Sequence, residues 1–417
     1  MAAVYDFDRV IDRKGTSSLK FDFGRERKGR EDLLPLWVAD MDFALPEEIL
    51  SVLKNRIDHG IFGYTDPKED YYRALTGWFS EHHGITLRSE WNTVTPGVVY
   101  AIAVAINAFT KEGDAVIIQQ PVYYPFSELI TDNKRKLVNS ALINENGRYR
   151  MDYDDFERKI VENDVKLFLL CNPHNPVGRV WSEEELAKIG EICLRHNVLV
   201  FSDEIHCDFT YEGYRFHPFL SVDERFAQIA VMGTSDSKSF NLAGLQVANI
   251  FIPNPELREK YRKQNAAAGY SQANTLGLLA TQTVYETGGQ WHEQLRAYLQ
   301  GNLDFVRDYL KKNLPEIRLI EPEGTYLVWL DFSRISTSYR ELKRIVEDDA
   351  KLWLDPGIIF GKESAAFERI NIASPRSVLA QALTQLAEAV KHSLQTASDN
   401  EGSFSKFLSQ NEGKVLK

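Results

Sequence analysis

Apolar and polar positions fall into two regimes along this chain. Between about residues 70 and 255, short apolar runs recur: Ala115–Ile118, Leu167–Leu170, Val198–Phe201, Ile229–Met232 and Val247–Ile252. They are continuous rather than alternating, which predicts strands buried on both faces. Between them, Tyr71–His83 carries apolar residues at helical spacing. Val98–Phe109 predicts a strongly apolar helix, with Thr95-Pro96-Gly97 before it. Ser182–His196 predicts another, opened by a Ser cap with a Glu three positions on. Strands alternating with helices predict an α/β fold with a mostly parallel sheet.

The pattern changes beyond residue 285. Gln290–Asn313 predicts one long helix, and Arg318–Phe332 a Gly-interrupted strand pair. A helix over 339–351, a Gly-containing loop over 355–362, a strand over 369–373 and a helix over 377–395 predict a smaller α+β unit. Residues 22–32, dense in charge with two glycines, predict an exposed arm or loop, and the apolar 33–43 is expected to pack on something. Residues 396–417, rich in Ser, Asn, Gly and Lys, predict a flexible tail.

Composition narrows the partners. A chain of 417 residues has room for two or three domains, and 43% hydrophobic with 26% charged residues is ordinary globular usage. The net charge is −11 with no long basic run, which argues against nucleic acid and anionic membranes. The most apolar stretch, 101–109, is too short to span a bilayer. Three cysteines, Cys171, Cys193 and Cys207, are too few and too odd in number for a disulfide framework. The first residues lack a signal-peptide layout, so a soluble cytoplasmic protein is expected.

Four stretches carry candidate chemistry, each at the end of a predicted strand or the start of a predicted helix, where ligands of open α/β sheets bind. In Ser235-Asp-Ser-Lys238, the lysine could form a Schiff base with a carbonyl cofactor and Ser235 and Ser237 could hold phosphate; otherwise Lys238 is a solvated loop residue. Asp203 follows the Val198–Phe201 run and could hold a cationic nitrogen, or simply cap a turn. Asn172–Gly178 contains two Asn-Pro steps, and Asn175 there could donate to a ligand oxygen, unless the segment is a plain turn. Gly97, before the amides of Val98 and Val99 at a helix start, could receive phosphate or be an ordinary helix start. Cys171 with His174, and His206 with Cys207, have metal-like spacing, but neither has a second Cys/His pair at finger spacing, so no metal is expected.

Taken in order, Pro96-Gly97, Tyr123, Asn172–Gly178, Asp203-Glu204, Ser235–Lys238 and Asn371–Arg376 resemble the fold-type I pyridoxal-phosphate enzymes of the class I/II aminotransferase superfamily, over nearly the whole chain to about residue 395. Leu36–Phe43, Phe62-Gly63-Tyr64, Asp203–Asp208 and Lys238–Gln246 resemble its cystathionine β-lyase branch. The resemblance implies a three-layer αβα large domain over 50–285. It also implies a smaller α+β domain formed from both chain ends, 1–49 and 286–395, and a homodimer with active sites at the subunit interface.

It implies site roles as well. Lys238 would carry pyridoxal 5'-phosphate and move the substrate's Cα proton, while Asp203 would pair with the ring nitrogen and keep it protonated. Asn175 would bond the ring oxygen, with His206 standing where aminotransferases often place a tyrosine, and Tyr123 would stack on the ring. The amides of Gly97, Val98 and Val99 and the hydroxyls of Ser235 and Ser237 would bind the phosphate, helped by Tyr64 of a second copy. Many relatives have a basic residue eight positions after the lysine; here it is Gln246, so the phosphate would rest on amides and hydroxyls. Arg376 would clamp the substrate carboxylate, with Ala39 and Tyr326 on the substrate side. The activity implied is β-elimination from L-cystathionine or related cysteine conjugates to a thiol, pyruvate and ammonia. The alternatives are an aminotransferase for aromatic or neutral amino acids, or a regulatory protein on the same scaffold.

Overall fold

The five apolar runs become the inner strands of one sheet. The computed structural model describes residues 4–411. Seven strands build the sheet: β1 (Asn92–Thr95), β2 (Ala115–Ile118), β3 (Lys136–Asn139), β4 (Val165–Cys171), β5 (Leu199–Asp203), β6 (Ala230–Thr234) and β7 (Ala248–Phe251). Their spatial order is β1-β7-β6-β5-β4-β2-β3. Only β7 runs antiparallel to its neighbours.

Alternate residues of each strand feed opposite faces. Val116 and Ile118 of β2 pack with Ala101, Ile102 and Ala105 of helix Val98–Phe109. Ala115 and Ile117 pack into the other layer, with Leu186, Ile189 and Cys193 of helix Glu183–Arg195. These are the three layers of the expected α/β architecture, and the two-sided burial is why the runs are uninterrupted. The strands at each edge, β1 and β3, were not predicted; Asn92-Thr-Val-Thr and Lys136-Leu-Val-Asn each pair on one side only and so keep polar residues.

The later residues form a second, antiparallel sheet: β8 (Arg318–Ile320), β9 (Leu327–Asp331), β10 (Asp355–Pro356) and β11 (Phe367–Asn371), in the order β8-β9-β11-β10. Leu34–Pro35 pairs in parallel with Leu352–Trp353, joining the two ends of the chain. The long helix runs Gly289–Asn313, within a residue of its predicted start. The helix expected over 339–351 is a helix at Tyr339–Lys343 that widens into a π-helical turn at Arg344–Asp349. The last helix, Arg376–Asn411, has no proline to stop it and continues into the segment expected to be a flexible tail; the rest of that segment, 412–417, lies outside the described residues. Among the described residues, no helix is long and apolar enough to cross a membrane.

Candidate active site

The carboxyl ends of β4, β5 and β6 converge on the amino end of helix Val98–Phe109, as the strand order requires. A cavity of about 180 Å3 lies there. From the sheet it is lined by Asn175, Asp203, His206, Ser235, Ser237 and Lys238, and from the surrounding loops by Ala39, Gly97, Val98, Val99, Tyr123 and Gln246. A chain distance of 199 residues separates Ala39 from Lys238, yet Lys238 Nζ donates to the Ala39 carbonyl at 2.7 Å.

Each wall has a local cause. Val98 and Val99 occupy the first turn of a 12-residue helix, so their N–H groups have no acceptor within it. Ser235 caps the short helix Asp236–Ser239: its Oγ accepts from Ser237 N at 3.1 Å and donates to the Val247 carbonyl at 2.6 Å. Lys238 is thereby fixed on a capped turn. The loop carrying Asn175 is held by His174, whose Nε2 meets the Pro121 carbonyl at 2.9 Å, and by Asn172, whose Nδ2 donates to the His217 carbonyl at 3.0 Å. Gln246 adopts a left-handed backbone, φ 53°, which puts this turn residue on the cavity wall.

Burial disfavours charge throughout. It pushes the Asp203 carboxyl up to about 7, opposed by an amide bond from Ile205 at 3.2 Å and by the nearby Lys238 cation. It pulls the Lys238 amine down to about 8, where Asp40 and Asp203 favour the cation and Arg369 opposes it. His206 is held well below the usual histidine range by burial and is neutral, and its Nδ1 is buried without a partner. Its ring stands edge-on to Tyr326 at 5.9 Å.

Two expected residues, Tyr326 and Arg376, lie outside the cavity lining, and Tyr64, expected to serve a second copy, is at the surface. Tyr326 does not line the cavity; it stands one bond behind it, its hydroxyl donating to the Ala39 carbonyl at 3.1 Å. Tyr64 is 94% exposed, in a loop with the exposed Ile61 and Phe62. Arg376, expected to face the substrate, does not. It opens the last helix and turns to helix Gly289–Asn313, where its Nε donates to Asn302 Oδ1 at 2.6 Å and its guanidinium lies over Tyr298 and Phe305. Pro375 ends the extended segment after β11, and this change of direction carries Arg376 away.

Arg369 on β11, a residue that sequence reasoning did not single out, lies directly behind the cavity residue Asn175. It is 2% exposed; its Nη1 donates to Asn175 Oδ1 at 2.8 Å, its Nη2 donates to the Trp37 carbonyl at 3.0 Å and pairs with Asp355, and its Nε is buried without a partner. The signal was present in the sequence: a full charge two residues before Asn371, inside a predicted strand, demands buried partners.

Residues 31–386 match the family model for aminotransferase class I and II. The chain is 40% identical to cystathionine β-lyase PatB of Bacillus subtilis (strain 168), over 92% of this chain and 100% of that one. It is 33% identical to protein MalY of Escherichia coli (strain K12), over 93% and 99%. Among solved structures, cystalysin from Treponema denticola, which contains a pyridoxal 5'-phosphate cofactor, superposes with a TM-score of 0.91 at 38% identity, over 94% of this chain and all of that one.

Proposed function

This chain belongs to the class I and II aminotransferase family, and we propose that it is a pyridoxal-phosphate-dependent carbon–sulfur β-lyase acting on L-cystathionine or related cysteine S-conjugates. The observation that carries the cofactor is the donor set of the cavity. Among the described residues, the buried Asp203 carboxyl has one hydrogen-bond donor, a backbone amide, and Lys238 lines the same cavity. A ring with a cationic nitrogen and an aldehyde satisfies both. Likeness to PatB and to cystalysin supports the lyase reading.

When bound, pyridoxal phosphate supplies an electron sink that makes the substrate Cα–H acidic and lets a β-thiolate leave. Asp203 would hold the ring nitrogen, and Asn175, its Oδ1 already bonded to Arg369, would offer its Nδ2 to the ring oxygen. Tyr123 would cover one ring face. The Val98 and Val99 amides and the Ser237 hydroxyl would receive the phosphate at the positive end of the helix. Ser235, its hydroxyl committed to Val247, would contribute by capping the lysine turn. Arg369 would bind the substrate carboxylate. The Lys238 amine, brought down to about 8, is within reach of its neutral form near pH 7 and would take the Cα proton. We further propose a homodimer in which the exposed Tyr64 reaches the phosphate site of a second copy.

Incubation with L-cystathionine and no 2-oxo acid tests the reaction. Pyruvate release at a steady rate is expected. Turnover that requires a 2-oxo acid, with no pyruvate in its absence, would instead make the protein an aminotransferase.

A further inference from the structure

The residues before the charged segment 22–32 are not free: two of their cations, Arg13 and Lys20, are spent on the loop that carries Ala39. Arg13 grips Asp40 with two bonds, Nη1 to Oδ1 at 3.0 Å and Nη2 to Oδ2 at 2.6 Å, and its Nη1 also reaches Asp42 Oδ1 at 2.8 Å. Lys20 is fully buried, with its Nζ 2.7 Å from Asp42 Oδ2 and 3.7 Å from Asp40 Oδ1. Further along, Arg27 lies over the Trp37 ring and Lys28 over the Trp353 ring, and these two rings stack on each other at 4.6 Å.

A buried lysine is an expensive way to hold a loop. It is satisfied here only because two carboxylates flank it on the next stretch of chain. The loop is fixed from the other sides too. Asn371 Nδ2 donates to the carbonyls of Val38 and Asp40 at 2.7 and 2.6 Å, and Asn241, three residues past Lys238, bonds both the N–H and the carbonyl of Met41. All of this restraint converges on Ala39, whose carbonyl accepts from Lys238 Nζ and from the Tyr326 hydroxyl.

We propose that Arg13 and Lys20 are positioning residues for the reaction: by locking Asp40 and Asp42 they hold the Ala39 carbonyl against Lys238, and Arg13 sets how strongly the Asp40 charge acts on the lysine amine. The inference rests on the reading of Lys238 as the cofactor lysine. The groups around that amine are Asp40 from the loop that carries Ala39, Arg369 from β11, Asp203 at the end of β5, His206 beyond it, and Tyr326 just before β9. Removing Arg13 leaves Asp40 with only the more distant Lys20 as a cation partner, so less of its negative charge is offset and it favours a protonated lysine nitrogen more strongly. Removing the Asp40 charge does the reverse.

The test compares purified holoenzyme of the wild type with Arg13→Met, Arg13→Lys and Asp40→Asn, titrating the visible cofactor band against pH and measuring kcat and KM for L-cystathionine. In Arg13→Met the transition should move to higher pH by about half a unit and in Asp40→Asn to lower pH by a similar amount. Arg13→Met should also lose about tenfold in kcat/KM, and Arg13→Lys should recover most of it. Opposite displacements cannot come from mere loosening of the fold. If Arg13→Met does not fold, the near-isosteric Asp40→Asn carries the test alone through its downward displacement. A wild type that has the band, with folded variants that leave its transition in place or move it in one common direction, overturns the positioning role alone. A wild type with no band overturns the cofactor reading and the positioning role with it.

Discussion

Lys238 and Asp203 share a cavity that resists charge on both of them, so each needs its partner to be useful. With the amine down to about 8 and the carboxyl up to about 7, a small change in surroundings moves either across neutral pH. A ring nitrogen that carries a proton would hold Asp203 ionised, which is the state that electron withdrawal needs. The two arginines give a sharper prediction at this scale. Arg369→Ala should raise KM for the amino-acid substrate by about a hundredfold, because it removes the buried cation beside Asn175. Arg376→Ala should stay within about threefold in kcat/KM, since it loses only its contacts to Asn302, Tyr298 and Phe305. Steady-state kinetics on the pair checks both, and equal losses would return Arg376 to the site. The misplacement has a physical origin. Residue type and nearby motif mark an arginine as functional, but direction depends on where the strand stops and the helix starts, and those bounds are the weakest part of a sequence reading.

Elements place these side chains through backbone contacts that tolerate nothing larger. Gly178 ends the loop that presents Asn175; it has φ +72°, and a Cβ there would lie 2.8 Å from Pro322 Cβ and 2.9 Å from Pro322 Cα. Its carbonyl accepts the N–H of Glu323 at 2.8 Å and of Gly324 at 3.0 Å, tying the loop to the turn before β9. Gly178→Ala should therefore cost about 1–3 kcal/mol in urea unfolding and weaken cofactor binding, through displacement of Asn175. The capping box of helix Glu183–Arg195 gives the contrasting case. Ser182→Ala should cost about 1 kcal/mol while leaving kcat/KM as it was, because that helix packs on the far layer from the phosphate site. Legibility at this scale followed burial. Helix Val98–Phe109 and strands β2, β4, β5, β6 and β7 could be read because packing on two faces forces uninterrupted apolar runs. The one-sided β1 and β3 leave no such trace, and neither does the hairpin at Ile143–Glu145 and Arg148–Arg150. Residues 22–32, expected to be an exposed arm or loop, hold no buried residue; what the fold adds is the placing of Arg27 over Trp37 and of Lys28 over Trp353, partners that only the folded chain brings near.

The whole molecule carries a net charge of −11 and still buries carboxyl groups that would rather be neutral. Burial raises Asp203 and Asp236 to about 7 and Glu204 to about 8, although Glu204 accepts from Phe219 N and from Ser202 Oγ. A carboxyl whose folded value lies above its unfolded value holds a proton in the fold that the unfolded chain has lost. Its contribution to stability is present at acid pH and disappears as the pH rises through the folded value. The buried neutral histidines His174 and His292, pulled down to about 4, act the other way, but nearly all of their effect is complete by pH 7, where unfolded histidine is mostly uncharged. Lys238, brought down to about 8, adds stability only as the pH rises beyond that value. Between pH 7 and 8 the carboxyl groups prevail, and the cofactor-free protein should lose about 1 kcal/mol of stability, given about 1.4 kcal/mol per proton per pH unit. Thermal melts across that interval should show Tm falling. Glu204→Gln, which keeps an acceptor for both donors, should remove most of the fall, because Glu204 is the carboxyl that titrates nearest pH 8. Pyridoxal phosphate should flatten it as well, because a ring cation on Asp203 returns that carboxyl toward its ordinary range. A melt curve that is level or rising from pH 7 to 8 without cofactor would mean that burial does not hold these carboxyl groups neutral.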